Sequence, residues 1–139
     1  MKDVRISYNE NWQKIHWQSF TSAYRRSPFF EFYEDTFRIF YEEKHEFLFD
    51  YNLLTMKTIS SILKIELPVY FTDNYQLKTN DDFSDRRSFF LPGKVYESDF
   101  PAYPQVFNDR FEFIGDLCVL DVIFNLGKKS TEYLMGIKF

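Results

Sequence analysis

At 139 residues and a net charge of −4, the chain is long enough for one domain and has no basic excess for a polyanion. Arg25–Arg26, Arg86–Arg87 and Lys128–Lys129 are isolated basic pairs, so nucleic-acid binding is disfavoured. One cysteine, Cys118, excludes an intrachain disulfide framework and fits a reducing compartment, where it reads as a small buried hydrophobe.

Asp3 to Ser7 alternates polar and apolar residues like the end of a strand. Asn9 or Asn11 then suits the N-cap of a first helix reaching about Arg26. Within it Trp12, Ile15, His16, Phe20, Ala23 and Tyr24 recur at spacings of three and four, which places them on one face. Ser27 and Pro28 read as N-cap and first helical residue of a second helix extending to about Lys44, with Glu31 completing a capping arrangement. A third helix is predicted from about His45 to Leu63, and the short connections favour antiparallel neighbours. Pro68 to Thr72 clusters β-branched and aromatic residues as a short strand does.

From Asp73 to about Pro104 turn formers replace periodicity, and Phe83, Phe89, Phe90 and Tyr96 argue for an ordered, packed loop. A fourth helix is expected from about Asp116 to Gly127, with the Asp116 carboxylate at its positive end, and a short one from Ser130 to about Leu134. The fold class read from this pattern is α+β: three antiparallel N-terminal helices, a long ordered loop, a small mixed sheet and one or two C-terminal helices. Residues 1–139 read as a single domain fragment, with a helical part (1–64), a strand and long loop (65–104) and a C-terminal part (105–139). Aromatics make up 22% of the chain and lie on more than one helix face, which points to a sandwiched layer or a docking surface. No stretch approaches the roughly 18 uncharged apolar residues of a membrane span. Met1 to Arg5 lacks an apolar signal core, and a cytoplasmic location is the natural expectation.

Two blocks give the chain a family resemblance. One runs from Asn11 through Trp12, His16 and Trp17, then from Ser22 through Tyr24, Arg25 and Arg26 to Phe30. The other runs from Tyr103-Pro104-Gln105 through Phe111 and Phe113 to the stretch from Leu117 to Gly127, with a weaker echo in Asp85-Arg86-Arg87 and Pro92-Gly93-Lys94. Together they resemble the WbqC-like protein family, from about Val4 to Leu134. The resemblance implies a role in bacterial surface-polysaccharide (O-antigen) biosynthesis, with a nucleotide-sugar or amino-sugar substrate and transfer of glycine to an amino sugar. It also implies a further N-terminal family portion that this sequence lacks, so a missing segment is an expected partner.

Side-chain chemistry supplies the candidates. His16 can accept a proton near neutral pH, and Tyr24, two turns on, can donate a hydrogen bond; a histidine and tyrosine packed in a helix face is the alternative. Asp121 interrupts the apolar run from Leu117 to Phe124, and a carboxylate there must be paired or face a cavity. Asn125, four residues on, can present beside it. The Gln105 amide can serve a polar ligand or bond loop backbone, and Arg86 and Arg87 can clamp an anion or lie on a solvated loop. Under the resemblance His16, Tyr24 and Asp121 are the catalytic set, and Gln105, Asn125, Arg86 and Arg87 bind substrate. No metal spacing, phosphate-binding glycine loop or nucleophile elbow occurs, and no cofactor is expected. Motifs alone do not decide between a transferase and a non-catalytic interaction module or truncated family member.

Overall fold

A computed structural model describes residues 2–77, 84–87 and 99–137. The predicted aromatics Phe83, Phe89, Phe90 and Tyr96 and the Pro92-Gly93-Lys94 echo lie outside the described residues, as does most of the expected long loop. Among the described residues five α-helices are present: α1 (Trp12–Tyr24), α2 (Phe30–Glu42), α3 (Leu48–Leu63), α4 (Val119–Leu126) and α5 (Ser130–Gly136). A 3-10 turn, Gly127–Lys129, joins the last two.

The expected small mixed sheet is absent among the described residues. Val4 to Leu48 contributes one antiparallel bridge, Arg5 to Phe47, with Ile6 N donating to Glu46 O and Leu48 N to Val4 O. Pro68 to Thr72 forms no strand and is exposed. A β-prone run needs a partner edge, and the described chain offers none.

α2 carries the core. Phe30, Tyr33, Phe37 and Phe40 fall at helical spacing on its buried stripe, joined by Leu63 of α3 and by Ile123 and Phe124 of α4. Phe124 has no exposed surface, and the rings of Phe20, Tyr24, Phe30, Tyr33 and Phe37 surround it at centroid distances of 5.2 to 6.5 Å. α1 has no fully buried residue. Its inward side is set by Trp17, Phe20 and Tyr24, which pack on the core, while Ile15 and His16 are exposed. The predicted stripe is thus rotated by about one residue.

Local caps differ from expectation. Asn11 flanks α1 without a side-chain cap bond. Ser27 does not cap α2: its Oγ is buried without a partner among the described residues, its carbonyl accepts from Phe30 N, and Phe29 N donates instead to Phe124 O at 3.0 Å. The N-terminal end of α2 is therefore satisfied from α4, far along the chain. α3 ends where Lys64 enters the left-handed region (φ 54°), with Ile65 N bonded back to Ser60 O as in a Schellman turn. Asp116 (φ 54°) lies outside α4, and Asp121 occupies the first turn in its place. Cys118, expected buried, is exposed. Ser130 Oγ, fully buried, contacts the Val122 and Gly127 carbonyls at 3.1 and 2.7 Å, and Thr131 Oγ1 donates to Leu63 O at 2.6 Å, locking α5 onto α3 and α4.

Candidate functional site

The polar centre of the molecule is Asp121. It is only 5% exposed, and an isolated carboxylate at that depth would carry a heavy desolvation cost. Two side chains offset it: Tyr103 Oη donates to Oδ2 at 2.6 Å and Gln105 Nε2 at 3.2 Å. Oδ1 accepts no hydrogen bond from the described residues. Burial, reinforced by the bond to Asp121, pushes the Tyr103 phenol well above its ordinary pKa. Its ring is held edge-on by Phe113 and Tyr133 at 5.2 and 5.0 Å.

Gln105 acts twice. Its amide also bonds the Ile114 backbone in both directions, Nε2 to Ile114 O at 2.8 Å and Ile114 N to Oε1 at 3.1 Å. This closes the 105–114 loop over the helix and fixes Gln105 against the carboxylate.

A cavity of about 280 Å³ opens beside this cluster. Asp121 and Gln105 line it together with Ala23 and Tyr24 of α1, and Phe107, Phe111, Ile114 and Leu117 make it mainly apolar. Tyr24 is pushed up to about 12, first by burial and then by the nearby Asp121 and Cys118. Its phenol is therefore neutral throughout the physiological range and can serve as a hydrogen-bond donor.

Of the predicted residues, Tyr24, Asp121 and Gln105 are thus brought together. Asn125 is on the same helix but lines a second cavity, its Nδ2 donating to Asp121 O at 2.8 Å. His16 is exposed, packs edge-on to Trp12 at 5.4 Å and does not line the Asp121 cavity. Arg87 clamps its own neighbour: Nε and Nη2 grip Asp85 at 2.9 and 2.5 Å, Nη1 and Nη2 reach the Gln76 and Leu77 carbonyls, and the guanidinium lies over Tyr75. That grip holds the Asp85 carboxyl at about 2. Arg86 Nε donates to Ser84 Oγ at 3.1 Å. Neither arginine lines the Asp121 cavity.

Tyr103 was not singled out as a site residue by the sequence, although it opens the Tyr103-Pro104-Gln105 block. The cue is positional: a tyrosine two residues before a polar amide, in a segment that must cover a buried acid.

The family model described as "WbqC-like protein family" matches residues 1–90. The chain belongs to the WbqC-like family. The match takes in α1 to α3, with His16, Tyr24, Arg86 and Arg87, and the second resembling block, with Gln105, Asp121 and Asn125, lies beyond it. No curated protein and no solved structure matches the chain. Among the described residues no helix is long and apolar enough to cross a membrane, and no group of acidic, histidine and cysteine side chains is arranged to hold a metal ion.

Proposed function

We propose that this WbqC-like protein acts in bacterial surface-polysaccharide biosynthesis by transferring a glycyl group to the amine of an amino sugar, with Asp121 at the centre of the acceptor site. The observation that carries the reading is a buried carboxylate, one oxygen of which accepts no hydrogen bond from the described residues, lining a cavity with Tyr24, Phe107 and Phe111. Such a carboxylate attracts an ammonium group, and aromatic walls suit the apolar faces of a sugar ring. In the step proposed, the sugar amine attacks the carbonyl carbon of an activated glycyl ester or thioester. The bound ammonium first gives one proton to water and attacks as the neutral amine. The carbon–nitrogen bond forms, a second proton passes to Asp121 Oδ1, and the bond to the activating group breaks with its electron pair leaving on that group. Tyr24, a neutral donor, polarises the carbonyl, and Tyr103 with Gln105 orients the carboxylate. His16 has no part in this cavity.

Titration with glucosamine and N-acetylglucosamine tests the acceptor site, and mass spectrometry of the sugar after incubation with a glycyl thioester tests the transfer. Glucosamine is expected to bind, its N-acetyl form not to bind, and Asp121→Asn to abolish binding while Asp121→Asn protein still melts cooperatively. Equal binding of both sugars, or binding unchanged in Asp121→Asn, sinks the reading.

A second reading, a non-catalytic module that docks on another protein or on a further part of its own family's fold, is favoured by a different observation. Leu67, Tyr70, Phe71, Tyr75 and Leu77 are exposed large apolar residues within one irregular segment.

A further inference from the structure

A second cavity, of about 620 Å³, is lined by Pro104, the chain neighbour of the Gln105 that lines the first. It is lined by Phe29, Phe32, Tyr33, Asn125, Lys128 and Lys129, together with Pro104 and Leu126. Its size is within the range of small-molecule sites. Three features give it a chemistry. Phe32 is 72% exposed, and it stands edge-on to Tyr33 at 4.8 Å, an aromatic surface that the core does not use. Asn125 is 6% exposed; its Nδ2 makes one bond, to Asp121 O, and its Oδ1 accepts none from the described residues. Lys128 and Lys129 are exposed lining residues, form no ion pair with a described residue, and meet no acidic side chain in the lining.

The cavity is also built. Gly127, at φ +55°, brings its backbone so near Phe29 that a Cβ there would sit 2.7 Å from the ring. Phe29 N bonds Phe124 O, so the ring forming one wall is fixed by both its own backbone and the glycine opposite.

We infer that this cavity binds a nucleoside phosphate. The base stacks on the aromatic wall, as bases do on exposed phenylalanine and tyrosine rings. The Asn125 amide, a donor and an acceptor side by side, pairs with a base edge, and the two lysines neutralise the phosphates. The aromatic surface, the half-used buried amide and the unpaired cations each answer one part of that ligand. A free phosphate would use only the lysines, and an apolar ligand only the rings. The inference does not rest on the amine site.

Calorimetric titration of the full chain with ADP and UDP, with adenosine and pyrophosphate as fragments, tests it. At least one nucleotide is expected to bind more tightly than either fragment. Phe32→Ala and the double change Lys128→Ala/Lys129→Ala, all at exposed positions, should each weaken it about tenfold, the equivalent of 1.4 kcal/mol. Asp121→Asn should leave nucleotide affinity unchanged, which separates this site from the acceptor site. Pyrophosphate binding as tightly as the nucleotides, Phe32→Ala without effect, or no binding of either nucleotide overturns the inference.

Discussion

Asp121 and the phenols around it define what happens at single residues. Tyr24 and Tyr51 are both pushed up to about 12, chiefly by burial, from an ordinary value near 10. A phenol whose folded pKa exceeds its unfolded one contributes stability that is complete below the unfolded value and is lost as pH rises toward the folded value. Between about pH 10 and 12 the unfolded chain gives up these protons while the folded chain keeps them, so stability falls with rising pH. Urea unfolding at pH 9, 10 and 11 is expected to show that decline, and Tyr24→Phe should make it shallower. A curve unchanged by the substitution would mean that Tyr24 ionises in the folded protein as freely as in water. The residue scale also explains which of the predicted residues lie together. A carboxylate inside an apolar run has to be satisfied wherever the chain goes, so the need to pair Asp121 is legible in the sequence. His16 shared a predicted stripe with aromatics, but periodicity fixes the width of a stripe and not which edge of it faces the neighbour; α1 turns Trp17 inward and leaves His16 outside.

Among the elements, α4 is short yet central. Phe124 touches rings from α1 and α2 at once, and its truncation removes a fully buried side chain that partners cannot collapse to replace. Phe124→Ala is expected to cost about 3 to 5 kcal/mol, read as a lower urea midpoint, whereas Ile15→Ala on exposed α1 should change stability little. Comparable losses from the two would remove α4 from the centre of the core. Helix identities were legible because 3.6-residue periodicity survives in α2 and α3, where one face is buried. Helix starts were not. Ser27 and Pro28 carry a real local capping signal, but the backbone of α4 supplies the acceptor at Phe29, and a local signal cannot report a partner nearly a hundred residues away. The sheet was over-read for the converse reason: Pro68 to Thr72 has strand-like composition, and pairing depends on a second edge that the five residues do not encode.

At the scale of the whole molecule, cohesion comes from rings more than from charges. The ion pairs among the described residues, Arg5–Glu46, Arg38 with Glu34 and Asp35, Arg87–Asp85 and Arg110–Asp109, are all at least partly solvent-accessible. Pairs of this kind contribute about 0 to 1 kcal/mol each and are screened by salt. Raising sodium chloride to about 1 M, where the Debye length is near 3 Å, is therefore expected to leave the urea midpoint nearly constant. A pronounced loss of stability would show that surface electrostatics carry more of the fold than this arrangement implies.

The bond from Phe29 to Phe124 has a bearing on how the chain is made. A ribosome delivers α1, α2 and α3 well before α4, and through that interval the amide at the head of α2 has no native acceptor and the aromatic stripe from Phe30 to Phe40 has no central ring to close on. The core with its native closure therefore awaits the synthesis of α4. Until then the nascent polypeptide keeps those phenylalanines uncovered, a surface prone to association with other chains.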